Sequence, residues 1–470
     1  MESMKLIFWL KVLCILGPIY AEDAPNIIYI LADDLGWNHV SWHNPSVISP
    51  HMQELVDNGV VLEQSYVQPT CTPSRSAFLT GTYPFKYGRQ GPPLFAICPT
   101  GLSVNYTLLP EMLSELGYST HLVGKWHLGM CDWAYTPLRR GFDTFTGFYV
   151  GYGGYFNHAY HGGAWGNRTG PGGYDFRQQE RVMWEANGTY STDLYTDEAV
   201  NIIKLNENSE NPFFLYFAHQ NVHDPYEVPQ KYLDMYPDVE DELTRKIVSM
   251  VTAMDDSIGA LVDALKDTQQ YENTIIVFSA DNGGVPGHPE SNHPLKGYKY
   301  DLWEGGTRGA AFVHSPILKD TPRPYSGLVH ITDWFNTFLS IAGSPSLQDN
   351  DGFDQWEAIR TGNLPSPRQD LIYNLDQRAI KTIGGIRAGS YKYVVGQNSD
   401  EEGPWLFDIE VDPLETTNLI STNPDVAAEL EALLLSELSH MVPADEPKLD
   451  PAGNPENWGG TYSPGWCTAH

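Results

Sequence analysis

The sequence predicts an α/β fold in which a large unit carries a mainly parallel sheet between helices, and a smaller antiparallel sheet with a packed helix follows it. Three observations predict this. Unbroken apolar runs alternate with helix-like stretches over most of the chain, as strands buried on both faces do. Each run ends in acids, an amide, lysine or histidines, the residues that open α/β sheets present at the carboxyl ends of their strands. After about Gly343 the texture changes to short alternating segments punctuated by Pro and Gly.

The strands, in order, are Asn26–Leu31, a weaker Thr120–Val123, Phe213–Phe217 and Thr274–Ser279. The helix-like stretches are His51–Asn58, Leu109–Leu116, Thr192–Leu205 and Leu243–Leu265. Phe148–Phe176 is rich in Gly, Tyr, Trp and His and has little periodicity, so it reads as a long loop. Its Gly pairs lack the strand-turn-helix context of a phosphate cradle. It is an ordinary surface loop, or a substrate-facing wall with Tyr152, Tyr155 and Trp165 as stacking aromatics. In the second unit, Leu371–Leu375, Gly384–Arg387, Tyr391–Val395 and Trp405–Asp408 are strand-like, and Ala427–Leu438 is helical. The expected division is a signal peptide at 1–21, a catalytic α/β unit at 22–345 and a smaller α+β unit at 346–470.

Met1–Ala21 has lysines at 5 and 11, an apolar run and a small final residue, the composition of a cleaved secretory signal. The lysine-interrupted run is short for a membrane anchor, and no later stretch suits one, so no membrane anchor is expected. Of five cysteines, Cys14 leaves with the signal. Cys98, Cys131 and Cys467, beside Cys71, suggest one disulfide and one free thiol. Asn105, Asn167 and Asn187 head Asn-X-Thr triplets, which suit surface loops of a secreted protein. The net charge of −31 excludes nucleic acid as a partner. It also repels long polyanions at neutral pH, so an anionic substrate requires either a small molecule or a locally positive site.

The strand ends gather the chemistry. The first runs into Asp33-Asp34, the second into Gly124-Lys125-Trp126-His127, the third into His219 and His223-Asp224, and the fourth into Asp281-Asn282. Asp33, Asp34, Asp281 and Asn282 are hard oxygen donors that suit Ca2+ and, less well, Mg2+. Zinc sites favour His and Cys, which this set lacks. Asp281 is also a candidate to take a proton from an attacking hydroxyl. His127 is a candidate base. Lys125, His223 and Lys299 are candidates to hold an anionic group and to protonate or shield a leaving oxygen. His219 reads as structural.

Cys71-Thr72-Pro73-Ser74-Arg75, continuing to Leu79-Thr80-Gly81, resembles the signature of the sulfatase family. Ala32–Asn38, Val123–Met130, Arg139–Thr144, Trp303–Gly306 and His330–Trp334 match that family too, so the resemblance runs from Pro25 to at least Asn418. It is strongest toward the arylsulfatase B (N-acetylgalactosamine-4-sulfatase) branch. The resemblance implies an alkaline-phosphatase-like fold and hydrolysis of sulfate esters, on aryl sulfates or N-acetylgalactosamine 4-sulfate groups of glycosaminoglycans. It implies that a formylglycine-generating enzyme converts Cys71 to formylglycine (3-oxoalanine). The hydrated aldehyde is then the nucleophile, and its second hydroxyl expels sulfate. By the same resemblance one Ca2+ per chain is held by Asp33, Asp34, the residue at Cys71, Asp281 and Asn282. Arg75 pins this group by forked hydrogen bonds, and Lys299 is the second active-site lysine. A pairing of Cys98 with Cys467 is implied ahead of Cys98 with Cys131. The location implied is the secretory pathway, lysosomal or extracellular. Two other readings stay open: a formylglycine phosphoesterase or phosphonate hydrolase of the same fold, and a non-catalytic secreted binding protein.

Overall fold

The computed structural model describes residues 24–160, 172–287, 291–378, 381–396, 403–445 and 448–470. The expected signal peptide, Trp165 and Asn167 lie outside these. Among the described residues no helix is long and apolar enough to cross a membrane.

Five parallel strands form the centre of a ten-stranded sheet: β1 (Asn26–Ala32), β2 (Ser119–Lys125), β3 (Thr144–Phe148), β4 (Phe213–Ala218) and β5 (Thr274–Ala280). Their spatial order is β5-β1-β4-β2-β3, and in register Tyr29 of β1 stands between Tyr216 of β4 and Val277 of β5. Every residue of β1, β4 and β5 is buried, which is why these segments are apolar without alternation. Outside β5 the sheet continues antiparallel through Ala311–His314 and Val60–Leu62.

Helices cover both faces. On one, the helix Cys71–Thr80 lies beside Asp333–Ile341. The Phe78 ring stacks on Tyr29 at 4.0 Å, and Trp334 lies 6.1 Å from it. On the other, the 26-residue helix Glu242–Asp267 is capped by Asp241, which accepts from Thr244 N–H at 2.7 Å. Its buried Asp255 accepts from the first-turn amides of His51 and Met52, at 3.0 and 2.7 Å, fixing the helix Pro50–Asp57 in place.

The second unit is a four-stranded antiparallel sheet, Asp370–Gln377, Thr382–Ala388, Tyr391–Val395 and Trp405–Asp408. Leu430 and Leu434 of the helix Pro424–Ser436 pack on Leu375, Ile386, Tyr393 and Leu406. A fully buried ionic cluster joins it to the large unit. Lys392 Nζ meets Glu304 at 2.9 Å and Glu415 at 2.8 Å, and Tyr66 donates its hydroxyl to Glu304 at 2.8 Å.

The chain's last residues return to the large unit, and this corrects the cysteine pairing. Cys131 bonds Cys467, while Cys71 and Cys98 are free and buried. The amides of Gly465, Trp466 and Cys467 all point at the Cys131 carbonyl, at 2.8, 3.0 and 3.4 Å, so backbone contacts bring these two sulfurs together. Cys98 instead lines a small cavity with Leu94, Phe95, Ala96 and Met130, and burial pushes its thiol up to about 11. The bridge spans a sequence separation of 336 residues. Cys131→Ser is therefore expected to lower unfolding stability by about 2–5 kcal/mol, and Cys98→Ala by less than about 1.5 kcal/mol. Denaturant titrations of the two variants check the contrast.

Candidate active site

The ends of β1, β4 and β5 converge because their following loops are tied to one another, and Lys125 at the end of β2 reaches Asp33. Asp33 N–H donates to Asn221 O at 2.8 Å, Val222 N–H to Asp33 O at 2.6 Å, and Asp281 N–H to Ala32 O at 2.9 Å. Cys71 is the first residue of the helix Cys71–Thr80. Arg75 sits one turn on and is completely buried. The close packing demands glycine at position 283, where a Cβ would lie 1.8 Å from the Gly305 carbonyl oxygen.

The structure brings the expected residues together. Arg75 Nη2 and Nε reach Asp281 Oδ2 at 2.8 and 3.1 Å, with Asp33 Oδ1 at 3.6 Å. Lys125 Nζ lies 2.6 Å from Asp33 Oδ2, and Lys299 Nζ 2.6 Å from Asp34 Oδ1. Asn282 Nδ2 donates to Asp34 Oδ1 at 2.8 Å. His223 Nε2 faces Asp34 Oδ2 at 3.6 Å, while its Nδ1 donates to Asp224 O at 2.7 Å. His127 is held with φ +57°. Its Nε2 donates to Leu94 O at 2.8 Å, which leaves buried Nδ1 without a partner and makes that nitrogen the basic one.

Charge and burial compete here. Burial raises the Asp34 carboxyl, but Lys299, His223 and Lys125 together outweigh it and hold the group below the usual carboxylate range. For Asp281 burial and the Asp33 charge prevail over Arg75, and it rises to about 6. Burial would lower His223, yet Asp34 and Asp33 raise it to about 9. His127 is driven well below 6.5 by burial and by Lys125, so its imidazole is neutral.

The donors fit a hard divalent cation. One ligand atom each from Asp33, Cys71 and Asp281 lies within 4.8 Å of the others. Asp33 Oδ1 and Asn282 Oδ1 are buried acceptors that no donor satisfies, the state expected of oxygen atoms directed at a metal.

The aromatic loop separates in a way its composition does not reveal. Tyr155 is fully buried and donates its hydroxyl to Gln220 O and His223 O at 2.8 and 3.0 Å. It is thus not a substrate-facing platform, because its role is to brace the His223 loop. Tyr152 is half-buried, with its ring stacked on His223 at 5.4 Å. Three further residues support the site in roles that the sequence does not announce. Thr72 donates to His127 O and accepts from Leu94 N–H, both at 3.2 Å. Gly151 leaves room for His127, whose Nε2 would stand 2.7 Å from an added Cβ. Asp175 accepts from Tyr149 and Val150 N–H at 2.8 and 2.9 Å, immediately before that glycine.

His219 is fully buried, with neither ring nitrogen partnered, and burial pushes it down to about 3. Burial likewise holds His43, His121 and His158 at about 4 and His330 well below 6.5. All stay neutral when folded, so below 6.5 the unfolded chain takes up protons that the folded protein refuses. Their contribution to stability is complete above 6.5 and is lost as pH falls toward each folded value. Burial raises Asp175 and Asp255 to about 6, which works in the opposite sense between about pH 4 and pH 6. Asp281 and Glu415, raised to about 6 and about 7, act with them, so the net slope of stability from pH 6.5 to 4 is the difference of the two sets, and each buried histidine steepens the loss as pH falls. His219→Leu should lessen that loss by about one proton, or ~1.4 kcal/mol per pH unit, in denaturation measured across this range.

The sulfatase family model matches residues 25–344. Arylsulfatase J of Mus musculus is 37% identical over 94% of this chain and 80% of its own length. N-acetylgalactosamine-6-sulfatase of Canis lupus familiaris is 30% identical over 82% and 75%. Arylsulfatase A of Homo sapiens is 28% identical over 87% of each chain. Among solved structures, Ps i-CgsB in complex with k-i-k-neocarrahexaose matches with a TM-score of 0.82 at 29% identity, covering 91% of this chain and 95% of that one.

Proposed function

The chain belongs to the sulfatase family, and we propose that it hydrolyses sulfate esters of N-acetylgalactosamine type, in glycosaminoglycans or their fragments, through formylglycine at position 71 beside a bound Ca2+. Its fold is the alkaline-phosphatase-like one of its relatives, and it is a sulfuric ester hydrolase. The observation that carries the finer reading is Cys71 at a helix start within 4.8 Å of ligand atoms of Asp33 and Asp281, with Arg75 forked onto Asp281. The sugar class rests on the arylsulfatase B-like motifs and on the name N-acetylgalactosamine-6-sulfatase carried by a 30%-identical relative.

In this reading Asp33, Asp34, Asp281 and Asn282 would hold the cation together with position 71, and the cation would offset negative charge on sulfate. Hydrated formylglycine supplies one hydroxyl for attack and a second for release of sulfate. Arg75 orients Asp281 and, through it, position 71. His127 accepts a proton at Nδ1. Lys125, Lys299 and His223 surround the sulfate with positive charge, and His223 protonates the leaving oxygen at Nε2. These cations give an acidic protein the locally positive site that an anionic substrate requires.

Cys71 is 1% exposed and its helix is wholly buried, so a formylglycine-generating enzyme acts before this segment folds. The Cys131–Cys467 bridge suits an oxidising compartment, which supports a secretory-pathway glycoprotein, lysosomal or extracellular. Two assays test the reading. Chelation of the holoenzyme should abolish sulfate release and added Ca2+ should restore it. Sulfated N-acetylgalactosamine oligosaccharides and aryl sulfates should be turned over at least about a hundredfold faster than aryl phosphate; faster phosphate release would favour the phosphoesterase reading.

A further inference from the structure

The sequon Asn187-Gly188-Thr189 is built into a rigid turn beside a supported, exposed indole. Trp184–Ala186 is a 3-10 turn, and Asn187 N–H donates to Trp184 O at 3.2 Å. Residues three apart eclipse in such a turn, so Asn187, which follows it directly, emerges on the side of Trp184, and both residues are exposed. The turn is pinned from beneath. Gly188 N–H donates to Phe156 O at 2.7 Å and Thr189 N–H to Ala186 O at 3.0 Å, and His158 Nε2 meets Ala186 O at 3.0 Å. Gly188 has φ +96°, and a Cβ there would meet nothing within 4 Å, so the sequon faces open space.

Trp184 is 51% exposed, although one face is occupied. The buried Tyr174 ring stacks on it at 4.5 Å and 27°. A large aromatic held this way keeps one apolar face toward solvent without freedom to fold it away. We propose that Asn187 is an N-glycosylation site and that Trp184 is the seat of its first N-acetylglucosamine. That sugar's ring carries an apolar C–H face, and burying it against the indole removes apolar surface of both from water. Asn105 has no such seat, since the residue three before it is the buried Leu102.

The covalent step needs a lipid-pyrophosphate-linked oligosaccharide as donor. Asn187 Nδ2 forms a bond to C1 of the first sugar, the C1–O bond to pyrophosphate breaks, and the lipid pyrophosphate leaves. Nδ2 gives up one proton, and nothing is oxidised or reduced. The modified turn then gains a sugar stacked across residues 184 and 187. This tightens the start of the helix Ser191–Leu205.

The test uses the full chain secreted from a eukaryotic host. Glycopeptide mass spectrometry reads occupancy at Asn187. An endoglycosidase then trims the glycan to one N-acetylglucosamine, and hydrogen exchange over residues 181–190 is compared with that of Asn187→Gln. The one-sugar form should exchange a few-fold to about tenfold more slowly. Trp184→Leu should be glycosylated yet lose that difference, and Trp184→Phe should keep part of it. An unmodified Asn187 would overturn the proposal, as would equal exchange in the one-sugar and Asn187→Gln forms. Protection that survives in Trp184→Leu would overturn the indole's role. None of these outcomes bears on sulfate hydrolysis.

Discussion

Cys71→Ser is expected to lower turnover of sulfate esters by at least about 10^4-fold while leaving the fold intact. In the proposed mechanism serine offers one hydroxyl where hydrated formylglycine would offer two, so it lacks the group that would expel sulfate. The exchange hardly changes volume at a site that is 1% exposed, and the surrounding ties run through Thr72, Arg75 and backbone groups rather than through the sulfur. Activity and stability should therefore separate. Steady-state sulfate release and a thermal melt of the same preparation measure both. A serine variant with wild-type turnover would remove the two-hydroxyl mechanism.

Arg75→Ala is expected to damage both properties. The guanidinium is fully buried, bonded twice to Asp281 Oδ2 and once to the Lys125 carbonyl at 3.3 Å. Deleting it leaves two buried carboxylates short of positive charge and a carbonyl short of a donor, a loss of about 3–5 kcal/mol. Turnover should fall by about 10^2–10^3-fold, since Asp281 loses its orientation. Arg75→Lys retains the charge but not the fork, so it should recover stability in part and activity less. Denaturant midpoints and kcat for the pair check this ordering. Unchanged stability in Arg75→Ala would mean that the buried carboxylates do not depend on this guanidinium.

Much of the candidate site's edge was legible because its elements are written locally. The runs Asn26–Leu31, Phe213–Phe217 and Thr274–Ser279 are apolar because both faces of those strands are covered, and each is followed directly by the polar residues it delivers. The flanking strands Val60–Leu62 and Ala311–His314 are too short to show a period. The disulfide was illegible for a different reason. It depends on three amides of the returning C-terminal segment that converge on the Cys131 carbonyl, and no spacing encodes that return. Tyr152 and Tyr155 lie three residues apart in one glycine-rich segment, yet one stacks on His223 and the other is buried beneath it. Composition gives the aromatic content of such a loop and not its facing. Thr72 acts through the His127 carbonyl and Gly151 by leaving room for the His127 ring, contacts that become visible only once the segments around His127 are packed together.

The most direct test of the account is the mass of the proteolytic peptide containing Cys71, from protein secreted by a eukaryotic host that has the modifying enzyme. The account predicts formylglycine at position 71 in the active fraction, with sulfate-ester turnover rising in proportion to the converted fraction. An intact thiol in protein that still hydrolyses sulfate esters would contradict it.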